Sequence, residues 1–179
     1  RDRTLLCDTS HFLLATDTSL PAVTALGRLP DLVISIDCQQ ISYHHFLSGL
    51  PVNTRLALDL ASPPLLARKA TVPLFLVGGH PLSQYVSAEW RPLPSVDTSG
   101  GNVTHAAVSL ASTMGADTIQ LIGADYGYPH AVPYARETYF YPYFRATETR
   151  LSPLTTNLTS YVLDRPEVVR KPDGMYRTP

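Results

Sequence analysis

Five short apolar runs, each of strand length, constrain the fold of this chain more than any other feature. They are HFLLATD at 11–17, DLVISID at 31–37, RLALDL at 55–60, PLFLVGG at 73–79 and TIQLIGAD at 118–125. Near-continuous apolar strands are typical of parallel sheets that are covered on both faces. Candidate helices lie between the runs, at residues 20–28, 40–50, 62–70, 80–90 and 103–114. This alternation predicts an α/β fold, a Rossmann-like, doubly wound and mostly parallel sheet with helices on both faces.

The clearest helical pattern precedes the fifth run. Its apolar residues repeat with the period of an α-helix and form one stripe: Val103, Ala106, Ala107, Leu110, Ala111 and Met114. Gly115 is placed to end this helix. Since most of its residues are small, we expect the helix to lie close against the sheet.

Length and composition indicate one domain, predicted over residues 1–150, and a tail at 151–179 with a short helix at 154–164. A formal net charge of −1 argues against a nucleic-acid partner. Cys7 and Cys38 are too few for a disulfide framework, and they predict buried thiols in a reduced, cytoplasmic compartment. No apolar run approaches the roughly 20 residues of a membrane helix, so no membrane contact is expected.

Carboxylates follow four of the five predicted strands: Asp17, Asp37, Asp59 and Asp125. Ligands of open parallel sheets bind outside the carboxyl ends of the strands, so these groups are expected around one crevice. Asp17 and Asp59 suit helix capping as well as they suit ligand contact. Asp37 and Asp125 precede loops and are the better ligand candidates.

A Gly-Gly pair, Gly100 and Gly101, opens the clearest helix. The unpaired N–H groups of residues 100 to 103 are a candidate cradle for a phosphate or carboxylate, because glycines let an anion approach the backbone. We expect Thr98 or Ser99 to cap the helix and Asn102 to add a neutral donor. The alternative is a tight turn without a ligand.

Residues 126–144 combine aromatics and prolines without either period, which predicts an ordered loop over the strand tips. His130 in this loop is either a proton-transfer group or a solvated histidine. Tyr126, Tyr128 and Tyr134 either contact a nucleotide or pack the loop. No spacing among the six histidines fits a metal site.

Three stretches, at 13–39, 98–129 and 134–144, resemble the central Rossmann-like domain of the motility accessory factor family of bacterial flagellar glycosylation proteins. That domain is similar to the archaeal-type 6-hydroxymethylpterin diphosphokinase and to bacterial sialyltransferases that use CMP-activated sugars. The resemblance implies nucleotide contacts from Thr98, Ser99, Gly100, Gly101 and Asn102, with Asp125, Tyr128 and Tyr134 on the phosphate side. The strand and GxGPSL-like loop that open the family domain have no counterpart here, so we expect the chain to begin after them.

Three functions follow from this resemblance. The first is transfer of a nonulosonic sugar from a CMP donor to a flagellin Ser or Thr, with Asp17 and Asp37 near the nucleotide, His130 and Asp125 catalytic, and no cofactor. The second is Mg²⁺-dependent phosphoryl transfer like that of the diphosphokinase, with Asp37, Asp59 and Asp125 as metal ligands. The third is a non-catalytic module that binds a nucleotide sugar or a flagellar protein.

Overall fold

The computed structural model describes residues 2–178, which form two compact units. The first unit ends at Ile122 and the second begins at Gly123. This division falls earlier in the chain than residue 150, where the sequence placed the end of the domain. Among residues 2–178, none of the helices combines the length and the apolar character that a bilayer crossing requires.

A four-stranded parallel sheet forms the centre of the first unit and confirms the predicted fold class. The strands lie in chain order: β1 (Leu14–Thr16), β2 (Leu32–Ser35), β3 (Arg55–Asp59) and β4 (Val72–Leu76). The register pairs Leu14 with Leu32, Leu32 with Arg55, and Arg55 with Val72. The first residues of the strands are therefore aligned, and their carboxyl ends share one edge of the sheet.

Helices connect and cover these strands. They are α1 (Asp2–Cys7), α2 (Leu20–Ala25), a 3₁₀ helix (Gln40–Phe46), α3 (Pro64–Lys69), α4 (Pro81–Glu89) and α5 (Val103–Thr113). The predicted helices all appear, although the segment at 40–50 is 3₁₀ rather than α. Proline stands at the first or second position of α2, α3 and α4, where its missing N–H costs no helical hydrogen bond.

Alternate residues of the inner strands contribute to two apolar layers, one on each face of the sheet. One layer lies under α5 and contains Leu32, Ile34, Ala57, Leu76, Val96, Ala106, Ala107 and Leu110. The other lies beneath α2, the 3₁₀ helix and α3, and contains Ala15, Leu20, Val33, Phe46, Leu56, Leu58 and Leu66. Because successive side chains of a strand point to opposite faces, the continuous apolar runs serve both layers. The predicted stripe of α5 contributes three of its six members to the buried core.

The predicted fifth strand is not formed. Residues 118–122 belong to no strand, and in the described chain their backbone groups make no hydrogen bond. Ile119 and Leu121 remain 39% and 51% exposed, and they border a groove of about 520 Å³ that is also lined by α5 and by Leu14 of β1. An apolar run becomes a strand only where a neighbour accepts its ladder of hydrogen bonds, and this segment has none.

The second unit contains two helices, α6 (Phe140–Ala146) and α7 (Leu154–Leu163), and a short antiparallel pair, β5 (Val169–Arg170) and β6 (Tyr176–Arg177). The short helix predicted in the tail is confirmed as α7. The prediction of a loop through residue 144 is wrong for α6, because the aromatics of this segment pack together. Phe140 is 6% exposed and lies 4.5 Å from the Tyr134 ring and 5.1 Å from the Tyr161 ring. The expectation of buried thiols is also wrong, since Cys7 and Cys38 are both exposed.

Candidate functional site

The carboxyl edge of the sheet begins with Asp17, which is buried directly after β1. One carboxylate oxygen accepts a 2.6 Å hydrogen bond from the Ser35 hydroxyl at the end of β2. The other accepts the backbone N–H of Thr18 at 2.7 Å. The Ser62 hydroxyl donates to the backbone oxygen of Ser35 at 3.4 Å and so extends the network towards β3. Asp17 therefore joins two strand ends.

Asp59, the last residue of β3, is the centre of this edge. Its side chain is 3% exposed and accepts three hydrogen bonds. The donors are the N–H of Ala61 at 2.7 Å, the N–H of Gly78 at 2.7 Å and the hydroxyl of Ser83 at 2.9 Å. This carboxylate fastens the turn after β3, the turn after β4 and helix α4 to one point.

The turn at Gly78 and Gly79 leads from β4 to α4, and it contacts the segment before α5. Gly79 donates its N–H to the Thr98 hydroxyl at 2.9 Å. A Cβ on Gly78 would lie 2.6 Å from the Asp59 carboxylate and 2.8 Å from the Thr98 methyl group, so the close approach requires glycine. Through Thr98, the strand ends are connected to the segment that starts α5.

The segment from Asp97 to Asn102, which we call the α5 turn, is held by its own side chains. Asp97 accepts the N–H of Ser99 at 2.8 Å and pairs with His105 Nε2 at 3.0 Å. Gly101 donates its N–H to the Thr98 carbonyl at 3.1 Å. The helix cap is Asn102, whose side chain accepts the N–H of His105 at 2.9 Å, and not Thr98 or Ser99 as expected.

Gly100 and Gly101 are each required at their positions for a different physical reason. Gly101 has φ +67°, a left-handed conformation that other residues adopt at a cost. Gly100 lies under the His105 ring, and a Cβ there would be 2.6 Å from Cγ of that ring. The pair therefore shapes the turn and brings the imidazole against the backbone.

From Gly100 to Val103, three N–H groups have no acceptor in the described chain: those of Gly100, Asn102 and Val103. Gly100 and Asn102 are exposed, and Val103 is partly exposed. They stand at the N-terminus of an 11-residue helix, whose dipole attracts negative charge. The arrangement is suited to binding one phosphate or carboxylate group through the backbone.

The comparison with known proteins covers the same part of the chain. Residues 6–131 match the family described as 6-hydroxymethylpterin diphosphokinase MptE-like. The chain belongs to this family. The match covers the whole sheet, the α5 turn and α5 itself. The resemblance to the motility accessory factors and to the sialyltransferases stays a proposal.

An uncharacterized protein of Treponema pallidum (strain Nichols) is 33% identical to this MptE-like chain over 126 residues. The aligned part is 68% of this chain and 45% of that protein, so the chain spans less than half of the relative's length. No solved structure matches the chain.

Asp37 and His45 stand at the β2 side of the same edge. The Asp37 carboxylate accepts the N–H of Gln39 at 2.8 Å. Burial lowers the pKa of His45, while the charges of Asp17 and Asp37 raise it. The pKa of this half-buried imidazole is lowered overall, because burial outweighs the effect of the two carboxylates. The sequence pattern did not single out His45, since an α-helix was expected where the 3₁₀ helix runs.

The carboxylates at this edge do not assemble into a metal site by themselves. Within residues 2–178, no group of three or more His, Cys, Asp or Glu side chains is arranged to hold a metal ion. Asp59 and Asp17 are already engaged by donors of the protein. Asp125, the third proposed metal ligand, lies in the second unit.

The remaining predicted site residues of this MptE-like chain belong to the second unit. Asp125 and His130 are exposed, and His130 has φ +55°. Tyr128 forms a two-residue bridge with Tyr176, where its N–H donates to the Tyr176 carbonyl at 2.7 Å. Tyr134 stacks on Phe140 and is 38% exposed. Their roles in binding or catalysis remain predictions.

Proposed function

We propose that this chain is the nucleotide-binding part of a transferase, and that the α5 turn holds a phosphate group of the nucleotide donor. The observation that carries the proposal is the set of three N–H groups at Gly100, Asn102 and Val103 without a protein acceptor. They stand at the carboxyl edge of a parallel sheet, where ligands of such folds bind. Membership of a family named for a diphosphokinase supports a nucleotide ligand.

The first candidate reaction is transfer of a nonulosonic sugar from a CMP donor to a Ser or Thr hydroxyl of flagellin. The bond between the anomeric carbon and the phosphate oxygen breaks, and the hydroxyl oxygen forms the new glycosidic bond. CMP leaves as an anion, which the amides of the α5 turn stabilise. The hydroxyl proton passes to a base, for which His130 is the proposed residue, and the resemblance assigns phosphate-side roles to Asp125, Tyr128 and Tyr134.

This reaction suits the turn because the donor carries a single phosphate. The contacts of the turn come from neutral backbone donors, and the carboxylates of Asp17, Asp37, Asp59 and Asp97 lie along the same edge of the sheet. One phosphate close to these carboxylates is repelled far less than a triphosphate would be. No metal ion is needed in this scheme.

The second candidate is Mg²⁺-dependent diphosphoryl transfer, which the family name favours. Asp37, Asp59 and Asp125 would then share the metal ion. The three hydrogen bonds accepted by Asp59 argue against its release to a cation. This candidate therefore rests on the family match more than on the geometry.

Two glycine variants test the phosphate site. Gly101 and Gly115 both have left-handed φ, +67° and +86°, and a Cβ at either would contact nothing within 4 Å. Gly101→Ala and Gly115→Ala thus introduce similar backbone strain at the two ends of α5. Calorimetric titration with CMP, and with ATP with and without Mg²⁺, is expected to show binding by the wild-type chain.

We expect Gly101→Ala to weaken nucleotide binding at least tenfold, whereas Gly115→Ala binds like the wild type. Equal effects of the two variants, or a wild-type chain that binds neither CMP nor ATP, would remove the proposal. Binding of ATP only with Mg²⁺ would favour the second candidate. Binding of CMP without any sugar transfer would instead indicate a binding module that passes its ligand to a flagellar partner.

A further inference from the structure

We infer that Asp97 is a specificity-determining residue of the phosphate site, which positions the α5 turn and whose negative charge restricts the site to phosphate groups of low charge. This inference rests on the proposed function. It concerns how the site selects among nucleotides, and the residue lies outside the set that the sequence singled out.

Asp97 is fixed to α5 by two contacts one helical turn apart. Its backbone N–H donates to the Ser109 hydroxyl at 2.9 Å, and its carboxylate pairs with His105 Nε2 at 3.0 Å. Residues four apart lie on the same face of a helix, so the segment at Asp97 runs along this face of α5. The carboxylate also accepts the N–H of Ser99 and so determines the path of the chain into the Gly-Gly pair.

The carboxylate of Asp97 remains ionised across the physiological range. The hydrogen bond from His105 and those from Ser99 lower the pKa of Asp97 to about 2. The carboxylate accepts the N–H of Ser99 and contacts the His105 ring, which lies against Gly100, so its negative charge is close to the N–H groups that lack an acceptor. A bound phosphate is therefore attracted by the amides and repelled by this carboxylate at the same time.

The balance between the two forces depends on the charge of the ligand. Attraction by amides and by the helix dipole acts on the one group that sits in the turn. Repulsion by Asp97 grows with every further negative charge that the nucleotide carries nearby. A phosphodiester, as in a CMP-activated sugar, is favoured over a phosphomonoester, and a triphosphate is disfavoured most.

Three cytidine ligands form a series of increasing negative charge: the methyl ester of CMP, CMP itself and CTP, with one, about two and about four negative charges at pH 7.5. Their affinities are measured by calorimetry without added divalent metal, for the wild-type chain and for Asp97→Asn. The matched control is Asp117→Asn, an exposed carboxylate just beyond the far end of α5, about 16 Å along the helix from the turn. Thermal unfolding shows which variants are folded.

We expect the wild-type chain to bind the methyl ester most tightly and CTP most weakly. In Asp97→Asn, the affinity for CTP relative to that for the methyl ester should rise about tenfold. Asp117→Asn should keep the wild-type ratio. Asp97→Ser, which also removes the charge and retains an oxygen acceptor for Ser99, should repeat the shift if Asp97→Asn does not fold.

The outcomes separate this inference from the proposed function. A wild-type chain that binds none of the three ligands refutes the proposed function and the inference with it. A wild-type chain that binds them, combined with an Asp97→Asn variant that weakens all three equally or changes none, leaves the phosphate site standing and overturns the selective role of Asp97. His105→Gln, which keeps a donor for the carboxylate, should retain the wild-type ratio.

Discussion

Replacement of Asp59 by Asn tests whether this carboxylate serves the fold or a ligand. Asp59 is 3% exposed and accepts hydrogen bonds from Ala61, Gly78 and Ser83. An Asn side chain has one acceptor oxygen, and its NH₂ group would face at least one of these donors. At least one hydrogen bond to a charged acceptor is lost, and a buried N–H or O–H group is left without a partner.

A hydrogen bond to a charged group contributes about 1.5–3 kcal/mol, and an unsatisfied buried group costs about 1–3 kcal/mol. The lost hydrogen bond and the unsatisfied group are partly the same free-energy cost, so we expect Asp59→Asn to lower the free energy of unfolding by about 3 kcal/mol. This is a large share of the roughly 5–15 kcal/mol that stabilises a typical domain. The variant should still fold in the absence of denaturant.

The measurement is urea denaturation followed by circular dichroism, with Asp37→Asn as the control. Asp37 makes one exposed hydrogen bond, to the N–H of Gln39, so its replacement should cost about 1 kcal/mol or less. The reasoning is refuted if Asp59→Asn changes the free energy of unfolding by less than about 1 kcal/mol and abolishes nucleotide binding. Asp59 would then be a ligand residue, as the diphosphoryl-transfer candidate requires.

Three further predictions follow from the packing and the charges. Leu121→Ser should change stability by less than about 0.5 kcal/mol in urea denaturation, because Leu121 is 51% exposed and unpaired; a loss above about 2 kcal/mol would mean that the segment is paired in solution. Leu110→Ala in the layer under α5 should cost about 3 kcal/mol in the same assay, since Leu110 is 6% exposed. Because the pKa of Asp97 is lowered from 3.8 to about 2, its stabilising effect should be complete above about pH 4 and disappear as the pH falls to 2. A stability difference between wild type and Asp97→Asn that does not shrink over this interval, measured by thermal unfolding, would contradict the pair with His105.

The sheet and α5 follow from local patterns alone. A continuous apolar run bounded by turn residues identifies a strand that is covered on both faces, and four such runs formed β1 to β4. The stripe of α5 is read from residue spacing in the same way. Each strand pairs with the next strand along the chain, so the pattern and the sheet agree.

The fifth run shows where this reasoning ends. TIQLI at 118–122 has the same apolar character as the other runs, but strand formation depends on the backbone of another segment. Sequence pattern describes which face of a segment is apolar and says nothing about whether a neighbour is present. The same limit applies to Asp97 and His105, whose pairing depends on how the α5 turn folds back along the helix.

At the carboxyl edge an aspartate can either hold the fold together or contact a ligand, and residue type alone does not distinguish these two roles. In the sequence, Asp17 and Asp59 suit helix capping as well as ligand contact, and the structure uses their oxygens to join strand ends and turns. Ligand recognition in the first unit is then proposed for more accessible groups, such as the amides of the α5 turn and the Asp37 carboxylate. The proposed transfer also requires a base, and an imidazole suits this role near neutral pH. His45 lies in the first unit and the exposed His130 in the second. Comparing His45→Gln with His130→Gln in a sugar-transfer assay therefore identifies which unit supplies the base: replacement of the essential histidine should lower the rate about 100-fold or more at unchanged CMP affinity.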